Sequence, residues 1–142
     1  MSSTHWLDTN VLLRFLLNDH PEMSPAAATL IQQAGSIRFK VAAVVLAECC
    51  YVLKGKIYSF NHSDIASVLK DFLLVDGIES DELPILLNAL DLFEKHRLDF
   101  ADAYLMARAE AGGEESIVSF DSDILRLYSP SFDPMKALSS GP

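Results

Sequence analysis

The chain has 142 residues, of which 50% are hydrophobic and 22% charged, and its formal net charge is −9. This length and composition predict one globular domain with a single core, able to bury roughly 68–70% of its unfolded surface. The acidic balance argues against a protein that holds nucleic acid mainly through a basic surface, although a bound metal would reverse the local potential. No stretch approaches the roughly 18 apolar residues that cross a bilayer.

The N-terminal residues and the two cysteines indicate the cellular compartment of the protein. The first residues carry no basic lead, and Arg14 breaks the only apolar run nearby, so no secretory signal is expected. Cys49 and Cys50 are adjacent in a helical pattern, where their side chains diverge. We therefore expect reduced core thiols rather than a disulfide or a metal site, and a cytoplasmic location.

Strand-like and helix-like segments alternate along the chain. In order, the patterns predict a buried strand over residues 4–8, helices over Thr9–Leu17 and Pro25–Ala34, a strand over Ile37–Val41, helices over Ala43–Lys54 and Ser63–Leu74, a strand over Val75–Glu79, helices over Asp81–His96 and Phe100–Ala111, and a strand over Ile117–Phe120. Ser63 is predicted to cap its helix. This alternation predicts an α/β fold with three layers, in which helices flank a central, mostly parallel sheet of four to five strands. The domain is expected to span residues 1–138, followed by a disordered tail over 139–142.

Four carboxylates interrupt the most apolar stretches of the chain, and they are Asp8, Glu48, Asp102 and Asp121. Burying an ionised carboxylate without a partner is costly, and Arg14 is the one basic residue inside these runs. A bound divalent cation is the simplest compensation, because Mg²⁺ and Mn²⁺ take oxygen ligands. Asp8 and Asp121 also lie at the carboxyl ends of predicted strands, the edge where open α/β sheets bind their ligands.

Each acid also has a structural interpretation. Asp8 and Asp121 each precede a helix, and for either residue alone we favour a cap. Asp99 fits either a cap of the following helix or a site residue, and Asp102, whose neighbours are small or apolar, is the better ligand candidate. Glu48 lies in the middle of a helix, caps nothing and has apolar neighbours, so it is the hardest to explain without a ligand. A first-turn acid facing solvent is the simplest interpretation of Asp123.

Four short strings, in this order, are similar to the motifs of a known family. They are Leu7-Asp8-Thr9-Asn10-Val11-Leu12, Val45-Leu46-Ala47-Glu48, Leu98-Asp99-Phe100-Ala101-Asp102-Ala103-Tyr104-Leu105 and Ser119-Phe120-Asp121-Ser122-Asp123. Over nearly its whole length the chain resembles the PIN domain and, within it, the VapC-type toxin ribonucleases. The chain departs mildly from the family in two places. Ser119 stands where the family often has Thr, and Ile124 follows Asp123 where Phe is common.

The resemblance implies a site, an activity and partners. Asp8, Glu48, Asp102 and Asp121 match the acidic ligands of Mg²⁺ or Mn²⁺, with Asp99, Asp123 and Ser119 as auxiliary residues and Asn10 as a partner of Asp8. The implied activity is that of a metal-dependent endoribonuclease that hydrolyses RNA phosphodiester bonds. The implied role is the toxin of a VapBC-type toxin–antitoxin pair, which forms a homodimer and whose site a cognate antitoxin covers.

Two alternatives come from other classes. A phosphatase of the haloacid dehalogenase type would need a second Asp two residues after Asp8, where Asn10 stands. A catalytically inert PIN-like module that binds nucleic acid or protein is the stronger competitor, and the full set of acids argues against it. The basic residues nearest the acidic strings are Arg14, Lys54, Lys56 and Arg97. They are candidates for phosphate contacts, but a solvated helix face is the simpler interpretation of each.

Overall fold

The structure, a computed structural model, describes residues 4–139. Contacts divide the chain into two compact units, the first ending at Pro84 and the second beginning at Ile85. The first unit contains β1 (Thr4–Trp6), α1 (Thr9–Leu17), α2 (Met23–Ile31), β2 (Arg38–Lys40), α3 (Ala43–Lys54), α4 (His62–Leu73) and β3 (Ile78–Glu79). Helix α5 (Leu83–His96) crosses the boundary, and the second unit continues with α6 (Phe100–Ala111), β4 (Ile117–Val118), α7 (Ser122–Leu127), β5 (Ser131–Phe132) and α8 (Pro134–Ser139).

The fold is α/β, with helices flanking parallel strands, as the sequence predicts. Strands β1, β2 and β3 form a parallel sheet in that order, and β4 pairs in parallel with β5. The single sheet of four to five strands expected from the sequence is therefore found as a three-stranded and a two-stranded sheet. Each strand is only two or three residues long, so few ladder hydrogen bonds define either sheet.

The core of the first unit forms where α1, α3 and α4 pack together. Leu12, Leu46 and Leu69, one from each of these helices, are completely buried. Phe15 and Phe72 add a tilted aromatic pair between α1 and α4, with ring centroids 5.7 Å apart. Burying one such side chain contributes about 1.5–3 kcal/mol. This packing fixes α3, the helix that carries Glu48.

The second unit has its own aromatic core. The rings of Phe93 and Phe100 meet edge to face at 6.3 Å, and Tyr104 stacks on Phe100 at 6.2 Å. At the end of α7, the Tyr128 hydroxyl donates a hydrogen bond of 2.7 Å to the carbonyl oxygen of Glu115. This bond ties α7 to the segment that leads into β4, and therefore steadies the loop that carries Asp121.

The sequence predicts the long helices best. Helices α1, α3 and α6 have the predicted bounds. The predicted cap of α4 is wrong, because the cap is Asn61, whose side-chain oxygen accepts a 2.8 Å hydrogen bond from the backbone N–H of Asp64. The prediction of a buried strand over residues 4–8 is also wrong, since β1 is shorter, lies at the edge of its sheet and is exposed at every residue. Helix α7 was expected only as the helix that Asp121 precedes, without bounds, and helix α8 and strand β5 were not predicted, because six residues or fewer show no clear periodicity.

None of the helices in residues 4–139 combines the length and the apolar character that a membrane span requires. Of the tail expected over residues 139–142, Ser139 is the last residue of α8, and the remaining three lie outside the described residues. The single domain over residues 1–138 stays a prediction.

Candidate metal centre

Asp8 stands at the N-cap position of α1 but does not cap the helix. Its backbone is extended, with φ −83° and ψ 154°, yet its side chain accepts no hydrogen bond from the first turn. The carboxylate is exposed, and no side-chain hydrogen bond or ion pair joins it to any other residue between 4 and 139. The cap interpretation of Asp8 is therefore wrong, and both oxygens are available to a ligand. The side-chain N–H of Asn10 donates to the sulfur of Met23 at 3.9 Å, so a role for Asn10 beside Asp8 stays a prediction.

Glu48 lies on the exposed face of α3. Val44 and Tyr51, four residues before it and three after it, share that face and are also exposed, whereas the opposite face is buried. The buried residues of the helix are Leu46, Cys49, Cys50 and Leu53. The expectation that Glu48 is buried is therefore wrong, because the apolar residues around it in sequence are divided between core and surface. In the described part of the chain its carboxylate has no hydrogen-bond or ion-pair partner.

The carboxylates of Asp8 and Glu48 act on a common neighbour, the thiol of Cys49. Burial raises the pKa of this thiol to about 12, and the charges of Glu48 and then Asp8 add to the rise. Burial also raises the pKa of Cys50. Both cysteines are free and buried, which confirms the prediction of core thiols. Helix α1 packs against α3, and the two carboxylates thus belong to one region of the first unit.

Asp121 is the acid that does cap a helix. One oxygen of its carboxylate accepts hydrogen bonds from the backbone N–H groups of Asp123 at 2.9 Å and Ile124 at 3.1 Å, in the first turn of α7. The hydroxyl of Ser119 in turn accepts a 2.9 Å hydrogen bond from the backbone N–H of Asp121. The cap interpretation is confirmed for this residue. Its second oxygen takes no part in these bonds, so a cap and a ligand role are compatible.

The remaining acids of the second unit have different surroundings. Asp102 is half-buried in the first turn of α6. Asp99 stands at the N-cap position of that helix but makes no side-chain cap hydrogen bond, so of its two interpretations the cap is wrong. Asp123 is exposed and forms a 3.0 Å ion pair with Arg126 three residues later, as expected of a first-turn acid. Such an exposed pair contributes little to stability.

Arg14 is neither a free phosphate contact nor part of a solvated helix face. Its guanidinium donates to Asp19 at 2.8 Å and to the hydroxyl of Tyr58 at 3.4 Å, and that hydroxyl donates to Asp19 at 3.1 Å. These bonds raise the pKa of Arg14, with the Tyr58 hydrogen bond as the largest cause. The side chain is only 17% exposed. Arg14 therefore connects α1 to the loop before α4, and the solvated interpretation made from the sequence is wrong.

The donor set of the first unit suits a hard divalent cation in its chemistry. Asp8 and Glu48 supply anionic oxygens that face solvent and that no described cation neutralises. Two carboxylates are fewer than the roughly six oxygen ligands that Mg²⁺ takes, so further acids, water or substrate must complete the shell. Between residues 4 and 139, no three His, Cys, Asp or Glu side chains form a group that could hold a metal.

The sequence pattern of the PIN domain family matches residues 6–130. The chain belongs to the PIN domain family. PIN domains are generally nucleases that typically use divalent metal ions, and a nuclease acts on nucleic acid. The matched range contains all four acids proposed from the sequence as ligands. Neither the curated proteins nor the solved structures contain a match to the chain.

Proposed function

We propose that this PIN domain is a Mg²⁺- or Mn²⁺-dependent endoribonuclease whose metal is held by Asp8, Glu48, Asp102 and Asp121. The observation that carries the proposal is the pair Asp8 and Glu48. In a family of nucleases, this chain exposes two carboxylates that neither cap a helix nor pair with a described cation, and both act on the same thiol. Acids with no structural role in the first unit are what a metal site needs.

The chain's own residues would hold these carboxylates in place. Glu48 is carried by a helix whose other face is buried, and Asp8 joins β1 to the packed helix α1, so both positions are set by rigid elements. The capping oxygen of Asp121 fixes its side chain and leaves the second oxygen to bind. A bound Mg²⁺ or Mn²⁺ supplies activation of water and stabilisation of charge on the phosphodiester. A cysteine nucleophile is not required, and the raised pKa of Cys49 keeps that thiol protonated at neutral pH.

The proposal extends to the biological role, which is that of a VapBC-type toxin acting on RNA in the cytoplasm as a homodimer. Metal-assisted hydrolysis needs no 2′-hydroxyl, so the chemistry does not favour RNA over DNA, and the choice of RNA rests on the family resemblance alone. Unneutralised carboxylates support an antitoxin that inserts an arginine, whose planar donor fork matches a carboxylate. Free buried thiols fit a reducing compartment.

A turnover assay tests the activity. RNA and DNA strands of the same sequence, each with a fluorophore and a quencher, are incubated with the protein in Mg²⁺, Mn²⁺ or EDTA. We expect cleavage of RNA in metal only, and its loss in Asp8→Asn and Glu48→Gln. Asp71→Asn, which neutralises another exposed carboxylate of the first unit, is the matched control and should cleave like wild type. Full activity in Asp8→Asn would refute the ligand assignment, and wild-type binding without cleavage in Mn²⁺ would favour the inert module.

A second measurement tests the partners. Light scattering after gel filtration should give twice the 15.7 kDa mass of the chain if the protein is a homodimer. A short peptide with one arginine should inhibit cleavage more strongly than its lysine counterpart, because only arginine offers two parallel donors. Equal inhibition by the two peptides would count against arginine capture at the carboxylates.

A further inference from the structure

Trp6 is the only tryptophan of the chain, and it lies in an unusual place for this residue. It is the last residue of β1 and is 60% exposed. Tryptophan is on average highly buried, because its large ring gains more than most side chains from leaving water. An indole held in solvent on a short strand therefore has a surface available for a ligand.

The ring shares its face of the sheet with two cations. Trp6 is paired in register with Lys40 of β2, and the Lys40 ammonium lies 5.2 Å from the centroid of the indole. Arg38, two residues earlier on β2, belongs to the same face, because alternate residues of a strand point to the same side. The residues between them in register, His5 and Phe39, pair on the opposite face, where Phe39 is buried.

The ion pairs of these two cations are weak enough for a phosphate to replace the carboxylates. Nε of Arg38 lies 3.5 Å from Oε1 of Glu79, and Nζ of Lys40 lies 3.0 Å from Oδ1 of Asp81. Both are surface pairs with substantial solvent exposure, and such pairs contribute about 0–1 kcal/mol. A phosphodiester of RNA offers two non-bridging acceptor oxygens and one negative charge to the same groups. Glu79 is in register with Lys40 and shares this face, so a phosphate that binds beside the ring must displace the carboxylate partners of both cations.

The position of the ring relates this face to the candidate site. Asp8 follows Trp6 by two residues at the carboxyl end of β1, a distance on the order of 7 Å in an extended chain. We propose that Trp6 and Lys40 bind one unpaired base of single-stranded RNA, with the base stacked on the indole and the adjoining phosphates directed to Lys40 and Arg38. This inference rests on the nuclease function proposed above, and what it adds is a stacking contact for one base at Trp6, beside the candidate site.

Stacking has a consequence for specificity. Every base has a π-face, so an aromatic platform tolerates many sequences but requires an unpaired base. The platform therefore distinguishes single strands from duplexes, and a base-bearing strand from a bare phosphate chain. Both distinctions are measurable without any chemical step.

The single tryptophan supplies a direct readout of binding. Wild-type protein is titrated with a hexanucleotide RNA in EDTA and in Ca²⁺, and with an abasic strand that carries the same number of phosphates. We expect the exposed indole to emit as in water, to be quenched by iodide, and to be quenched by the base-bearing strand at concentrations roughly tenfold below those of the abasic strand. An iodide-resistant, blue-shifted emission would overturn the proposal, and so would equal quenching by the two strands.

Variants separate ring stacking from apolar contact. With fluorescently labelled RNA and anisotropy detection, Trp6→Phe should keep most of the affinity, and Trp6→Leu, which has no aromatic ring, should bind roughly tenfold more weakly. Circular dichroism checks that both variants are folded. Wild-type affinity in Trp6→Leu overturns the proposal.

The cleavage assay distinguishes this failure from failure of the proposed function. If wild type cleaves RNA in Mn²⁺ while Trp6→Leu has an unchanged KM, the stacking platform is wrong and the nuclease stands. If base-dependent quenching occurs but wild type cuts nothing, the platform stands and the nuclease is wrong.

Discussion

Asp121 offers a test in which a structural and a chemical role can be separated in one residue. Its capping oxygen accepts two hydrogen bonds, of 2.9 Å and 3.1 Å, from the first turn of α7. Asp121→Asn keeps an acceptor there, and Asn caps as well as Asp, so only the charge at the helix start is lost, at about 0.3–1 kcal/mol. Asp121→Ala removes both bonds and should lower the free energy of unfolding by about 1–2 kcal/mol.

These energies correspond to a fall of about 1–3 °C in Tm for the Asn variant and about 3–6 °C for the Ala variant. Thermal unfolding followed by circular dichroism measures both, and the metal-dependent cleavage assay measures function. If Asp121 is also a ligand, both variants lose activity although their stabilities differ. Asp133→Ala is the matched control, since Asp133 likewise accepts a 2.8 Å hydrogen bond from the first turn of a short helix but is not a ligand candidate. Near wild-type turnover in Asp121→Asn would refute the ligand role and leave only the cap.

Three further experiments test the packing of the core, the helix caps and the burial of the thiols. Leu46→Ala leaves a cavity at a completely buried position and should lower the free energy of unfolding, measured with urea, by about 3 kcal/mol. Val44→Ala, on the exposed face of the same helix, should lower it by under about 0.5 kcal/mol. Asn61→Ala removes a 2.8 Å cap and should cost about 1 kcal/mol, while Asp8→Asn, at an N-cap position without such a bond, should change the same urea midpoint little. Both cysteines should resist a thiol reagent at pH 8 in the folded protein and should react in urea, because they are buried and their pKa values are raised. Rapid labelling of the native protein would contradict their burial.

The helix that carries Glu48 illustrates how far the sequence alone can lead. Its bounds, Ala43–Lys54, follow from composition and from the glycine after it, and the structure has the same bounds. Its orientation does not follow, because both faces are apolar in sequence and only packing against α1 and α4 decides which one is buried. Val44 and Tyr51 lie outside although hydropathy favours the core. Glu48 was therefore singled out for a reason, burial, that does not hold, and its role as a ligand stays a prediction.

The helix N-caps show a second limit of prediction from the sequence. Asp8, Asp99 and Asp121 each precede a helix, and the sequence does not distinguish among them. Only Asp121 turns its oxygen to the first-turn amides. Side-chain rotamers depend on tertiary surroundings that a local pattern does not contain, so the family motifs identify the acids but not their hydrogen bonds. Trp6 was missed for a related reason, since it was assigned to a buried strand.

The exposure of Asp8 and Glu48 has an evolutionary consequence. Because neither carboxylate makes a hydrogen bond or an ion pair within residues 4–139, neither contributes a specific contact to the described fold. Under the proposed function, a single-nucleotide change that turns Asp8 into Asn would therefore remove activity without unfolding the protein. A silenced copy would keep its surfaces for binding other molecules.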